Sequence, residues 1–115
     1  MPEYVILPIE NPSTFEDMSP QEMQRVVERY TKWTRALAKA ERLMEGHKLA
    51  DGTGRVLEGT GPKRTVTDRP HTESKELIGG FWIIRAEGYD EAERLCNDCP
   101  HLEFGPLVIR EIEGP

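Results

Sequence analysis

The densest group of chemically able side chains in this sequence is Thr67-Asp68-Arg69-Pro70-His71-Thr72-Glu73-Ser74-Lys75-Glu76. Asp68 and His71 are of the types that carry protons between reacting atoms, and Arg69 and Lys75 are of the types that hold an anion. Placed between a short strand and a buried one, such a loop would suit acid–base work on a small anionic metabolite. The plainer reading is a solvated loop whose charges pair with one another. His47 follows Gly46, the expected terminator of the first helix, where the helix dipole favours an imidazolium. Meeting Asp68 in space would make it a usable base; otherwise it is a surface histidine that borders a ligand.

Other strings carry less. Cys96-Asn97-Asp98-Cys99 has the spacing of a redox pair, but both cysteines fall at a helix C-terminus, which disfavours thiolate. With His101 they supply at most three zinc ligands of the four a structural site needs. They read as core residues, and no metal or cofactor is expected. Gly52-Thr53-Gly54 and Gly59-Thr60-Gly61-Pro62-Lys63 lack the ending of a phosphate loop and read as turns. No G-x-S-x-G or H-E-x-x-H string is present.

Elements must hold these residues in place. Glu3–Pro8 is β-branched and aromatic and reads as a strand. Ser19, Pro20 and Glu22 spell a helix start with a capping box. Met23, Val26, Val27, Tyr30, Trp33, Leu37, Ala40 and Met44 then recur at steps of three and four. That spacing predicts a helix over 20–45, ended by Gly46. Short strands separated by glycine turns are expected over 47–67. Phe81–Ala86 is the strongest strand, Asp90 and Glu93 spell a second capping box, and Leu107–Ile112 closes the chain. The order predicts an α+β fold, a ferredoxin-like βαββαβ sandwich with an extra short hairpin and two helices on one face of an antiparallel sheet. Strands 3–8 and 81–86 are apolar on both faces, and two helices can cover only one of them. A homodimer pairing sheet to sheet is the economical cover, the alternative being a face half exposed around a ligand groove.

The composition narrows the partners. The 115 residues suit a single domain, spanning 1–115. Lys and Arg number 15 against 21 Asp and Glu, a net charge of −6, which argues against nucleic acid or an anionic membrane surface. No apolar run approaches the roughly 20 residues that span a bilayer, and no secretory leader opens the chain. The cytoplasm is the expected address.

Beyond these readings, the sequence resembles a known family. The resemblance lies in Val27–Leu37, in Leu49, in Val66-Thr67-Asp68-Arg69-Pro70-His71-Thr72-Glu73-Ser74-Lys75-Glu76-Leu77-Ile78-Gly79-Gly80-Phe81, in Asp90-Glu91-Ala92, in Cys99-Pro100 and in Val108-Ile109-Arg110. Together they look like the YCII-related family, in the branch named for its Asp-Gly-Pro-Phe (DGPF) motif. The resemblance implies a ferredoxin-like α+β fold that pairs through its sheets into a dimeric barrel. It also implies a pocket near the motif loop, with Asp68, Glu73 and Lys75 at matching positions. Arg69 stands where the motif has glycine and His71 where it has phenylalanine, so the loop here is bulkier and more polar. Some relatives carry a histidine at the start of the first helix, suggested to pair with an aspartate; residues 19–24 contain none.

Two functions stand side by side. One is a dimeric protein binding a small molecule, whose enzymatic version uses Asp68 or His71 to move a proton while Arg69 or Lys75 holds the substrate. The other is a non-catalytic regulatory or protein-interaction module, of the kind the resemblance links to alternative sigma factors.

Overall fold

The computed structural model describes residues 1–68 and 77–114. β1 (Glu3–Glu10) is the central strand. On one side it pairs antiparallel with β7 (Leu107–Ile112), on the other with β6 (Gly80–Arg85) and, at its end, with β5 (Leu77–Ile78). β2 (Leu43–Lys48) pairs with β6 and forms the edge. Two helices, α1 (Pro20–Lys39) and α2 (Tyr89–Cys96), complete the main body. β3 (Arg55–Glu58) and β4 (Thr65–Asp68) form a separate two-stranded hairpin. The α+β, ferredoxin-like expectation with an extra hairpin therefore holds.

Alternation decides which face the helices cover. Tyr4, Ile6 and Ile84 are almost wholly buried beneath the helices, where they meet Trp33, Leu37, Ala92, Cys96 and Cys99. Cross-strand partners share a face, so the register Val5↔Ile83, Val5↔Arg110 and Leu7↔Val108 puts Val5, Leu7, Ile83 and Val108 on the opposite side. No helix of the described residues lies there, and the molecule is only 18 Å thick. Among the described residues no helix is long and apolar enough to cross a membrane.

The start of α1 follows the sequence. The Ser19 hydroxyl accepts from the Glu22 N–H at 3.1 Å, and the Glu22 carboxylate accepts from the Ser19 N–H. The end does not. Glu41 turns to φ 61°, its N–H donates to the Ala38 carbonyl, and the Arg42 N–H donates to Leu37 at 2.9 Å. This is the closing pair of bonds that a glycine usually makes possible, and it stops the helix at Lys39 instead of residue 45. Residues 43–48 pair with β6, because ladder bonds and Leu43 burial outweigh another turn of helix. His47 therefore belongs to a strand, and the helix dipole expected beside it is absent. α2 also starts differently. It begins at Tyr89 with Gly88 as its cap and no side-chain capping bond, so the Asp90–Glu93 box does not form. Glu91 instead accepts from the Glu87 N–H and pairs with Arg42 at 2.7 Å.

Candidate functional site

A cleft of about 650 Å³ opens between α1 and the sheet. α1 contributes Met23, Val26, Val27, Tyr30, Thr31 and Thr34, and the strands contribute Pro8, Glu10, Leu43, Gly46, Gly80 and Trp82. Its floor is cut by missing side chains. Gly46 faces Trp82 in the β2–β6 register, and a Cβ there would come within 2.7 Å of the indole. A Cβ on Gly80 would come within 2.5 Å of the His47 carbonyl oxygen. Where other residues would fill the space, the indole lies over bare backbone.

Aromatic rings shape the walls. Trp82 meets Trp33 edge-on at 5.0 Å and lies nearly parallel to Tyr30 at 6.1 Å. Trp33 donates its indole N–H to the Leu95 carbonyl, which fixes the ring that supports Trp82. Phe15, at the mouth, packs on Phe104.

At the closed end lies His101, 1% exposed, on a short 3-10 turn that Pro100 starts after Cys99. Its Nδ1 lies 3.1 Å from the Tyr30 hydroxyl and its Nε2 lies 2.8 Å from the Ile9 carbonyl oxygen. The turn is tightly held, since the N–H groups of Phe104 and Gly105 both donate to the His101 carbonyl. A side chain on Gly105 would strike the Ile9 carbonyl and crowd the His101 ring. The Tyr30 hydroxyl titrates well above its ordinary value, chiefly because it is buried and next because Cys99 and Glu10 are near. It is a neutral hydroxyl at any physiological pH.

The residues singled out from the sequence are not gathered in one place. Asp68 ends β4, exposed, with its carboxylate 3.3 Å from Arg55 across the hairpin, and it does not line the cleft. His47 borders the cleft, its ring 5.3 Å from that of Phe81, its register partner on the face opposite Trp82. No hydrogen bond or ion pair joins it to Asp68 among the described residues. Arg69, His71, Glu73 and Lys75 lie outside the described residues. The residues that reasoning from sequence missed are Tyr30 and Trp82, read only as core, and His101, read only as a third zinc ligand. The one available signal was a histidine directly after Cys-Pro, at the end of the second helix.

Cys96 and Cys99 are free and buried. Burial pushes the Cys96 thiol up to about 12 and the Cys99 thiol up to about 11, the latter partly offset by the His101 backbone N–H. Neither is a nucleophile at neutral pH. Among the described residues no group of His, Cys, Asp or Glu could hold a metal ion. A thiol raised by folding stabilises the fold below its unfolded value of 9.0, and that stability is lost as pH climbs towards 12. Urea midpoints are therefore expected to fall between pH 9 and 11, less steeply in Cys96→Ala. Native protein should also react with a disulfide reagent far more slowly than unfolded protein. Equal rates in the two states would contradict this burial.

The chain matches the YCII-related domain over residues 3–113. It belongs to the YCII-related family. No curated protein matches it in sequence. Among solved structures, this YCII-related chain is similar to 5-chloro-2-hydroxyhydroquinone dehydrochlorinase (TftG) from Burkholderia phenoliruptrix AC1100, in complex with 2,5-dihydroxybenzoquinone. The TM-score is 0.51 at 16% identity, over 98% of this chain and 95% of that one. At that identity the likeness establishes a shared fold, and it agrees with the YCII-related assignment.

Proposed function

We propose that this YCII-related protein binds a small planar metabolite in the cleft between α1 and the sheet and moves a proton on it. The observation that carries the reading is the coincidence, in one concavity, of an aromatic wall, a glycine floor and a buried Tyr30–His101 pair. Most ligand sites are apolar clefts with a few convergent polar groups. The dehydrochlorinase of similar fold holds a small quinone, which supports a ligand of this size. Lys48 lines the mouth. Arg69 and Lys75 precede the floor strands in sequence and are proposed, with Lys48, to attract the anionic group of the ligand. His47 borders the same cleft and is proposed to contact the ligand, whereas Asp68 does not line it and marks the motif loop, with His71 and Glu73, as the alternative site.

The bare face of the sheet supports a homodimer over a foreign protein partner. Its centre is apolar (Val5, Leu7, Ile83, Val108), so a second copy could cover it with the same surface. On that same face Arg85, paired in register with Glu3, keeps its Nε hidden from solvent without an acceptor among the described residues. An acceptor from a second copy would satisfy it.

A thermal-shift screen of small carboxylates, lactones and hydroxylated rings tests the site, run on the wild type, on Val27→Trp and on Asp68→Ala. Val27 is 55% exposed at the mouth, so tryptophan there blocks entry without entering the core. A ligand at about 100 times its dissociation constant adds roughly 2.7 kcal/mol, a shift of several degrees for a domain of this size. The expected result is a hit abolished by Val27→Trp. A hit abolished only by Asp68→Ala would move the ligand to the motif loop. A screen with no hit would favour the non-catalytic interaction module.

A further inference from the structure

The closed end of the cleft has a polarity that follows from one backbone group. The Ile9 carbonyl can only accept, so the His101 Nε2 at 2.8 Å from it carries a hydrogen. The ring is 1% exposed and both its hydrogen-bond partners among the described residues are neutral, so burial favours the neutral ring. A neutral ring with hydrogen on Nε2 has a lone pair on Nδ1, and the Tyr30 hydroxyl, 3.1 Å away, donates to it. The single hydrogen of Tyr30 is thereby committed, and its oxygen has only lone pairs left to offer. Glu10, close enough to Tyr30 to raise its titration, lines the same cleft with a carboxylate that also only accepts.

We propose that the inner end of the cleft selects ligands that present a hydroxyl or N–H donor on a flat ring beside Trp82, and disfavours those presenting a carbonyl, ether or carboxylate there. This rests on the cleft being the ligand site and adds to it the chemical class and orientation of the ligand. Donor inward and anion outward is the only orientation that matches both ends. His101 is a positioning residue: both its ring nitrogens are already engaged, and it turns Tyr30 from a group that can both donate and accept into an acceptor. Gly105 keeps the arrangement possible, since any side chain there would displace the Ile9 carbonyl or the ring.

Three probes of one size separate the possibilities: 2-naphthol, 2-methoxynaphthalene and 2-naphthoate, titrated by calorimetry into wild type and Tyr30→Phe. One hydrogen bond to a neutral acceptor corresponds to about a 3–10-fold preference for 2-naphthol over its methyl ether. That preference is expected in the wild type and should vanish in Tyr30→Phe, while 2-naphthoate binds more weakly than 2-naphthol. In the free wild-type protein, nitrogen-15 spectra should show His101 with hydrogen on Nε2 and none on Nδ1, the tautomer that leaves Nδ1 to accept from Tyr30. Equal binding of naphthol and ether, a preference that survives Tyr30→Phe, or hydrogen on Nδ1 would each overturn the proposal while leaving the cleft as the ligand site. Failure of all three probes to bind the wild type would overturn both.

Discussion

Trp33→Ala is expected to lower the stability of this protein by about 3–5 kcal/mol, the range for deleting a buried aromatic side chain. Trp33 is 7% exposed, meets Trp82 edge-on and donates to the Leu95 carbonyl. Its loss opens a cavity, removes an aromatic pair and strands a carbonyl that α2 otherwise has satisfied. Domains of this kind are stable by only about 5–15 kcal/mol in all, so the variant should keep its fold with a much smaller margin. The urea midpoint should drop sharply at unchanged slope, whereas Val27→Ala, on the exposed side of the same helix, should stay within about 0.5 kcal/mol. A loss under 1 kcal/mol in Trp33→Ala would mean that the two layers are not held together where the packing places their contact. Trp82 rests on Trp33, so ligand affinity should fall in the same variant.

Ile83→Asp is expected to turn the proposed homodimer into a monomer. Ile83 sits at the centre of the bare face, beside Val5 and away from the helices. Burying an unpaired carboxylate in a sheet-to-sheet interface costs several kcal/mol, enough to raise the dissociation constant by at least ~100-fold. The same change costs the isolated subunit little, because this face carries no part of its core. Sedimentation of both proteins over a range of concentrations decides the matter: a wild type that is monomeric throughout, or an Ile83→Asp that remains dimeric, removes the dimer. Circular dichroism then shows whether the subunit has kept its fold.

The three main strands and the first helix could be read from the residues because each is a local pattern. The two-faced apolar runs at 3–8 and 81–86 have few alternatives to a central strand, Leu107–Ile112 reads as a closing strand, and Ser19-Pro20-Gln21-Glu22 is a helix start by local bonding alone. The end of that helix was not local. Ala40-Glu41-Arg42 is as helix-forming as what precedes it, yet Glu41 takes a left-handed conformation so that Leu43–Lys48 can pair with β6. Pairing between segments distant in the chain outweighed propensity, and it carried His47 and Met44 from a helix end into a strand. The polar centre of the cleft was hidden for a similar reason. Tyr30, His101 and the Ile9 carbonyl come from a helix, a turn and a strand separated by dozens of residues, and one of the three is backbone. No spacing rule joins them. The motif loop, by contrast, drew notice because its charges are adjacent in sequence.

The glycine floor makes the depth of the site a matter of single carbon atoms. Gly46 leaves Trp82 lying on the strand, Gly80 lets β2 and β6 approach closely, and a methyl group at Gly46 would lever the indole outward into the space a ligand needs. The reach of the cavity is thus set by residues that have no chemistry of their own. Descendants of this chain could exchange one ligand for a slimmer or shorter one by a substitution of a single base, with Tyr30 and His101 left untouched. In such a scaffold, the shape of the space can drift quickly while its polar groups stay put.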